Sequence, residues 1–277
     1  MDLTSAKNIK NLFSKYEIQP SKGLGQNFLI NKKVLGQILE SANLQKDDTI
    51  LEVGPGIGNL TQELAKRVKK VISVEKDQNL ARILSKELGI ENIKNVEIIQ
   101  DDILKILDSK FYIPNSGYKV VANLPYYITS PVIRKFLENE APPKEMVLMV
   151  QKEVAQRICA KPPRMSLLAA SVQFYAKPKI LFYVSKKSFW PQPKVDSAII
   201  KIMPADDYKK RVSSDLFFRI IKAGFSQPRK QLVNNLAKSL KLDKIETSKR
   251  LSVNNIQPTQ RAETLSVNDW VNLANSL

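Results

Sequence analysis

Three short motifs in the sequence combine residue types that can bind a small polar ligand. Gly-Pro-Gly-Ile-Gly at residues 54–58 directly follows an apolar run, and glycines there let the backbone turn sharply and approach a ligand closely. Glu75 ends the next apolar run, 21 residues after Gly54, where a carboxylate can accept hydrogen bonds from both hydroxyls of a ribose. Gln-Asp-Asp at residues 100–102 follows a third run. Together these motifs predict a site for an adenosine-containing cofactor.

The glycine spacing separates two cofactor classes. Dinucleotide-binding loops have the pattern G-x-G-x-x-G and place a pyrophosphate at a helix N-terminus. Here the spacing is G-x-G-x-G, a proline lies inside the loop, and Asn59 takes the position of the third dinucleotide glycine. This pattern favours the S-adenosylmethionine (SAM) loop of Rossmann-like methyltransferases, which hold no phosphate, over an NAD site. Of the paired acids Asp101 and Asp102, we assign Asp102 to the adenine amino group, and the alternative use of such a residue is a helix N-cap.

Asn-Leu-Pro-Tyr at residues 123–126 follows a fourth apolar run and forms the candidate reaction loop. An adenine N6 amine is a poor nucleophile because its lone pair is delocalised into the ring. The Asn123 side-chain oxygen and the Leu124 carbonyl can hold the N6 hydrogens and favour a more tetrahedral nitrogen. Pro125 stiffens the turn, and Tyr126 offers a face on which an extruded base can stack. The pattern is typical of methyltransferases that act on the amino group of a base.

The composition excludes several other kinds of chemistry. The 277 residues contain no histidine and a single cysteine, Cys159. Intramolecular disulfides, cysteine-built metal sites, imidazole metal ligands and histidine-dependent hydrolysis are therefore excluded. Methylation of an amine is compatible with these absences, since the methylated nitrogen is acidic and loses its proton to water. No apolar run approaches the ~20 residues of a membrane span, and we expect a soluble cytoplasmic protein that does not bind membranes.

The elements that must position these motifs follow from the hydrophobic pattern. About five short apolar runs between residues 49 and 151 alternate with stretches of helical periodicity, which predicts a parallel sheet covered on both faces. Two later runs, at residues 180–185 and 195–203, predict a closing hairpin pair. After Pro204 only helical spacing remains. We therefore predict an α/β Rossmann-like sheet, the class I SAM methyltransferase fold, over residues 1–204. A small all-helical C-terminal domain follows over residues 205–277.

The net charge of +17 is unevenly distributed. Residues 34–150 carry 15 basic and 16 acidic side chains, whereas residues 151–204 carry 10 basic and 2 acidic ones. A nearly neutral centre between basic segments indicates a small-molecule site flanked by surfaces that bind a polyanion. The alternative is a basic surface that only aids solubility. RNA or DNA is favoured over a membrane, because no basic amphipathic helix is evident.

The motifs in their order resemble the KsgA-type small-subunit rRNA adenine N6,N6-dimethyltransferases over essentially residues 20–240. The matching blocks are GQNFL at residues 25–29, EVGPG at 52–56, NLPY at 123–126, F-x-P-x-P-K-V-D-S at 189–197, and a helical block at 225–236 that contains Phe-Ser-Gln and Asn-Asn-Leu. One stretch departs from the family pattern: Pro-Pro-Arg-Met-Ser at residues 162–166 stands where a Gly-Arg-Leu-Ser-like sequence is expected. No role is therefore carried over to Arg164.

This resemblance implies the activity and its residues. SAM contacts are implied for Asn27, Leu29, Gly54, Glu75, Asp102 and Asn123, to which we add Gly56 of the loop. At the target adenine, the resemblance adds Phe189 to Asn123, Leu124, Pro125 and Tyr126, with Tyr126 and Phe189 flanking the base. The implied substrate is a pair of adjacent adenosines in the 3′-terminal hairpin of 16S-type rRNA, within a small-subunit precursor, and we expect the helical C-terminal domain to recognise RNA and the protein to act as a monomer.

Three alternatives remain open at this point. A related family dimethylates large-subunit rRNA, but its loop is usually Gly-Ser-Gly-Lys-Gly and its catalytic motif Asn-Ile-Pro-Tyr, so Pro55, Ile57 and Leu124 argue against it. A non-catalytic RNA-binding or transcription factor could use the same fold, although the catalytic motif residues are all present. An NAD-dependent oxidoreductase is the most distant alternative.

Overall fold

The computed structural model describes residues 2–109 and 117–276 and divides the chain into two compact units. The first unit comprises Met1–Ala155 and Lys179–Met203, and the second comprises Gln156–Pro178 and Pro204–Leu277. Residues 156–178 therefore belong with the C-terminal helices, whereas the predicted boundary at residue 205 places them in the first domain. The physical reason is the apolar helix that they contain, because the Phe174 ring stacks on Phe217 with centroids 4.0 Å apart, inside the second unit.

The first unit is built on a mixed sheet, which confirms the predicted α/β fold. Its strands are β2 (Thr49–Val53), β3 (Lys70–Glu75), β4 (Val96–Gln100), β5 (Lys119–Asn123), β6 (Met146–Gln151), β7 (Ala176–Val184) and β9 (Ser197–Pro204), in the spatial order β4-β3-β2-β5-β6-β9-β7. Strands β2 to β6 are parallel, and β9 runs antiparallel to β6. The carboxyl ends of the five parallel strands consequently meet at one edge, where open α/β sheets bind ligands.

Both units contain α-helices. They are α1 (Ala6–Lys15), α2 (Lys32–Ser41), α3 (Asn59–Ala65), α4 (Gln78–Ile90), α5 (Ile103–Ser109), α6 (Thr129–Glu138) and α7 (Lys152–Ile158), followed by α8 (Leu167–Tyr175), α9 (Ser214–Gly224), α10 (Leu232–Leu240), α11 (Lys244–Val253) and α12 (Val267–Ser276). Capping side chains determine where several of these helices begin. Asp77, for example, accepts the N–H groups of Asn79 and Leu80 and so caps α4. No helix among the described residues is long and apolar enough to cross a membrane.

A two-stranded antiparallel sheet lies apart from the main one. Strand β1 (Phe28–Leu29) pairs with β8 (Phe189–Trp190), in the register Phe28 to Trp190 and Leu29 to Phe189. The predicted hairpin between β7 and β9 is therefore interrupted by β8, which leaves the main sheet to pair with the N-terminal segment. An aromatic cluster secures this pairing, since the Phe13 ring lies 5.3 Å from Phe28 and 5.7 Å from Trp190.

The second unit buries an apolar core of its own. Phe174, Phe217 and Trp270 are all fully buried, and Phe225 packs on Trp270 at 5.6 Å between ring centroids. Asn235 donates hydrogen bonds to the carbonyls of Gly224 and Gln227 at 2.7 and 2.9 Å. This buried amide joins α10 to the end of α9, and its own N–H groups are satisfied by doing so.

Candidate active site

A cleft of about 920 Å³, counting its open mouth, lies at the carboxyl edge of the parallel strands. Ten of the eleven residues singled out from the sequence line it, namely Asn27, Leu29, Gly54, Gly56, Glu75, Asp102, Asn123, Leu124, Pro125 and Tyr126. The fold therefore brings together motifs that are about 100 residues apart in the chain.

The glycine loop forms the floor of this cleft. Gly56 has φ +60° and Gly58 has φ +88°, a region that residues with a side chain rarely adopt. A Cβ on Gly56 would lie 3.1 Å from the Phe28 ring, and one on Gly58 would overlap the Leu84 side chain. Glycine is thus required both by the turn and by the close approach of neighbouring elements.

Gly58→Ala is expected to lower the free energy of unfolding by about 2 kcal/mol, from the positive φ and the overlap with Leu84. Gly36→Ala is the matched control, because Gly36 is inside α2 and a Cβ there would meet no atom within 4 Å. That change should stabilise the protein by about 0.5–1 kcal/mol. Urea denaturation measures both, and equal effects of the two substitutions would contradict this account of the loop.

Glu75 faces the loop from the end of β3. Its two carboxylate oxygens accept the N–H of Gly56 at 3.0 Å and the N–H of Asp77 at 2.8 Å. Burial raises the pKa of this carboxyl, and the backbone hydrogen bonds oppose the rise. An ionised carboxylate has about four acceptor positions, so it can still accept from ligand hydroxyls. The predicted contact with a ribose is therefore geometrically available.

Glu52 is a second acidic residue of the cleft, and sequence analysis gave it no role. It is 1% exposed, and its Oε2 accepts hydrogen bonds from the hydroxyls of Thr61 and Ser73 at 2.7 and 2.8 Å. Burial raises the pKa of Glu52 to about 7, against these two hydrogen bonds, and the nearby Glu75 adds to the rise. The sequence feature that could have indicated Glu52 is its position as an acidic residue inside an otherwise apolar strand.

Glu52 should make the stability of the protein depend on pH. Because its pKa is higher in the folded than in the unfolded chain, its contribution is full at low pH and is lost as the pH rises through 7. Between about pH 5.5 and about pH 8.5 this loss amounts to about 2 kcal/mol. In Glu52→Gln the carbonyl oxygen can still accept both hydroxyls, and the loss should disappear. Denaturation curves at both pH values test this, and an unchanged pH dependence in the variant would contradict it.

Asp101 and Asp102 follow β4, and Asp102 has the helix-capping role that the sequence analysis gave as the alternative to adenine binding. Asp102 Oδ1 accepts the N–H of Leu104 at 2.9 Å, so Asp102 itself caps the start of α5. Its Oδ2 lies 2.9 Å from the Lys76 ammonium. Burial of Asp102 acts to raise its pKa, but the hydrogen bonds from Lys76 and Leu104 prevail and lower it. Asp102 thus lines the cleft as a charged group, with the adenine role still a prediction.

The reaction loop closes the other side of the cleft. Asn123 ends β5, and its Nδ2 donates to the Asn27 carbonyl at 3.2 Å, which leaves Oδ1 as the amide atom able to accept a hydrogen bond. Tyr126 begins a short 3₁₀ turn, and its hydroxyl lies 2.7 Å from the hydroxyl of the fully buried Ser197. Burial raises the pKa of the Tyr126 phenol, so the ring is neutral at physiological pH.

The segment before β1 lies along the cleft and is fixed there by polar contacts. Gln26 donates to Asp77 Oδ2 at 2.9 Å, and Asn59 donates to the Leu29 carbonyl at 2.6 Å. Asn27 accepts from Asn123 through its backbone carbonyl and donates its own amide to the Gly25 carbonyl. Leu29 therefore contributes its backbone carbonyl, and Asn27 contributes both its carbonyl and its side-chain amide. Sequence patterns do not display the carbonyl contacts.

Phe189 is the one singled-out residue that does not line the cleft. Its side chain is 3% exposed and belongs to the apolar cluster around Leu29, Val184 and Ile199. This placement fits core packing, the common role of an aromatic before a Pro-rich turn. A contact between Phe189 and the target base stays a prediction, which requires the ring to become accessible when substrate binds.

The charges of the cleft distinguish between the two candidate cofactors. Glu75, Asp101 and Asp102 line it, together with Glu52, whose pKa of about 7 leaves it partly neutral at physiological pH. Lys76, the only cation among the described lining residues, is paired with Asp102. Such a surface attracts a cationic ligand and repels a pyrophosphate. SAM carries a sulfonium and an ammonium group, whereas NAD carries two phosphates. The residues therefore fit SAM.

The fold and the site together define a Rossmann-like SAM-dependent methyltransferase. The chain belongs to the ribosomal RNA adenine dimethylase family, whose sequence pattern matches residues 18–277. It is 44% identical to the ribosomal RNA small subunit methyltransferase A of Alkaliphilus oremlandii, over 99% of this chain and 98% of that protein. It is 45% identical to the protein of the same name from Dehalococcoides mccartyi, over 94% and 89%.

Solved structures agree with this assignment. A dimethyladenosine transferase from Plasmodium falciparum superposes with a TM-score of 0.76 at 28% identity, over 88% of this chain and 95% of that one. The 23S rRNA methyltransferase ErmE gives a TM-score of 0.71 at 25% identity, over 91% and 99%. The predicted family, enzyme class and cofactor are thereby confirmed, and an NAD-dependent oxidoreductase is excluded.

Proposed function

We propose that this enzyme transfers methyl groups from SAM to N6 of two adjacent adenosines in the 3′-terminal hairpin of 16S-type rRNA. The observation that carries the proposal is the position of the Asn-Leu-Pro-Tyr loop, which lines the same cleft as the acidic cofactor residues. The curated relatives are named as small-subunit methyltransferases, which favours the small subunit over the large one. We further propose that the enzyme acts as a monomer in the cytoplasm, on a small-subunit precursor.

The cofactor would be held between the glycine loop and the acids of the cleft. Glu75 would accept hydrogen bonds from the ribose hydroxyls, and Asp102 would accept from the adenine amino group. Gly54 and Gly56 let the backbone approach the ligand, and the segment containing Asn27 and Leu29 would cover it. When bound, SAM supplies a methyl group on a positively charged sulfur.

The reaction loop would hold and orient the target amine. Asn123 Oδ1 and the Leu124 carbonyl can accept the two N6 hydrogens, which draws the nitrogen toward a tetrahedral geometry and exposes its lone pair. The neutral Tyr126 ring would stack on the extruded base, paying part of the unstacking cost. Formation of the bond from N6 to the methyl carbon would break the carbon–sulfur bond and leave a positive charge on the nitrogen. Water then takes the N6 proton, so no histidine is needed.

Mapping of dimethyladenosine in ribosomal RNA tests this function. A strain lacking its own small-subunit dimethyltransferase would be complemented with this chain, or with Tyr126→Ala as the inactive control, and its rRNA analysed by primer extension and mass spectrometry. We expect two adjacent dimethyladenosines near the 3′ end of 16S rRNA with the wild-type chain alone. Modification of 23S rRNA instead would establish the large-subunit alternative, and no modification of either would favour a non-catalytic RNA-binding factor.

A further inference from the structure

Four lysines on the first unit carry charges that the protein does not neutralise. Lys152, Lys186, Lys187 and Lys194 form no ion pair with any residue that the structure describes, and all are at least partly exposed. Three of them meet at one turn: Lys186 Nζ is 3.5 Å from the Lys194 carbonyl oxygen, and the backbone N–H groups of Lys152 and Lys186 both donate to Asp196. Like charges held together in this way repel one another unless an anion lies between them.

An exposed aromatic side chain lies among these lysines. Tyr183 is 54% exposed, and the Lys152 ammonium lies 5.3 Å from the centroid of its ring. The exposed part of the ring is available to a further stacking partner. Cations beside an exposed aromatic face are the combination that binds single-stranded nucleic acid, because bases stack on the ring and phosphates meet the ammonium groups.

Hydrogen bonds connect this surface to the reaction loop. The backbone carbonyl of Asp196 accepts the N–H of Lys152 at 3.0 Å, and its carboxylate accepts the N–H of Lys186 at 2.9 Å. The next residue, Ser197, lies 2.7 Å from the Tyr126 hydroxyl. Two consecutive residues therefore connect this surface to Tyr126, the candidate stacking residue. They are Asp196, in the turn before β9, and Ser197, the first residue of β9.

We propose that Tyr183, with Lys152, Lys186 and Lys194, binds the single-stranded RNA segment that flanks the target adenosine. Tyr183 stacks on a neighbouring base, and the lysines contact the phosphates on either side of it. This inference rests on the proposed function and adds the residues that hold the strand next to the reacting base. A single strand fits better than a duplex, since an exposed ring can only stack on a base that has left its own helix.

RNA binding by point variants tests this inference. The probe is a short fluorescein-labelled single-stranded RNA with two adjacent adenosines, titrated with the full chain in a series of salt concentrations. Tyr183→Ala should weaken binding about 10-fold at every salt concentration, and Tyr183→Phe should not. Lys152→Ala and Lys186→Ala should each lower the slope of log affinity against log salt by about 0.7.

Lys46→Ala is the matched control. Lys46 is exposed in the turn before β2, at the end of the strand opposite to the cleft, and forms no ion pair with a described residue. It should leave both the affinity and the salt slope unchanged, and SAM affinity should be unchanged in every variant. Wild-type binding by Tyr183→Ala, or an effect of Lys46→Ala as large as that of Lys152→Ala, would overturn the inference. The inference would also be overturned if these substitutions reduced binding to anionic phospholipid vesicles and left RNA binding unchanged.

The outcome is separable from that of the proposed function. If the wild-type chain dimethylates 16S rRNA in the complemented strain while all the variants bind RNA equally, the inference fails and the function stands. If rRNA remains unmodified while Tyr183→Ala still loses RNA affinity and Lys46→Ala does not, the surface binds RNA as inferred and the proposed methylation fails.

Discussion

Replacing Tyr126 with alanine is expected to lower the rate of rRNA methylation by at least about 100-fold, because the target base loses its stacking partner and its orientation. The affinity for SAM should stay near the wild-type value. The Tyr126 side chain lines the cleft, but its hydroxyl bonds to Ser197 rather than to the acidic cofactor residues. Single-turnover transfer of labelled methyl groups measures the first quantity, and calorimetry measures the second.

Two further variants separate the ring of Tyr126 from its hydroxyl. Tyr126→Phe keeps the ring and removes the hydrogen bond to Ser197, and Ser197→Ala removes the same bond from the other side. Both should reduce the methylation rate by a similar and smaller factor, about 10-fold or less, since one neutral hydrogen bond is lost. Ser197→Thr should restore most of it. Equal losses of SAM affinity and methylation in Tyr126→Ala would instead assign Tyr126 a purely structural role.

Replacing Glu75 with alanine is expected to weaken SAM binding about 10- to 100-fold. This range corresponds to about 1.4–2.8 kcal/mol, the value of about one charged hydrogen bond, because water can replace part of what the carboxylate gives to the two ribose hydroxyls. The substitution also leaves the N–H groups of Gly56 and Asp77 without the acceptor that orients them, so the glycine loop loses a support. Calorimetric titration with SAM measures the affinity, and thermal denaturation without ligand reports the separate effect on the loop.

Glu63→Ala is the matched control for Glu75. Glu63 lies on α3 and pairs with Lys66 and Arg67 at the surface, away from the residues that line the cleft. Its removal should leave SAM affinity unchanged. If Glu75→Ala binds SAM as tightly as the wild-type chain, Glu75 does not contact the cofactor, whatever happens to the stability of the loop.

Much of the site could be predicted because it depends on strand ends. Parallel strands bring their carboxyl ends to one edge, so the residues after each apolar run, such as Gly54, Glu75 and Asn123, must lie near one another. The glycine positions are equally readable, since a backbone with positive φ excludes most other residues. The structure places all of these in one cleft.

The remaining features depend on contacts between distant segments. The Tyr126–Ser197 bond joins residues 71 positions apart, and the Gln26–Asp77 bond joins residues 51 apart. No local pattern specifies which polar side chains will meet at that separation. Continuity along the chain predicts that residues 156–178 belong to the catalytic domain, whereas packing of Phe174 on Phe217 places them in the second unit.

A crystal structure of the enzyme with bound SAM tests the central claim most directly. We expect the ribose hydroxyls within hydrogen-bonding distance of the Glu75 carboxylate, and the methyl group directed toward a space bounded by Asn123, Leu124 and Tyr126. SAM bound outside this cleft would contradict the account. A methyl group directed away from the Asn-Leu-Pro-Tyr loop would also contradict it. The same holds if the protein's own side chains fill the space beside that loop.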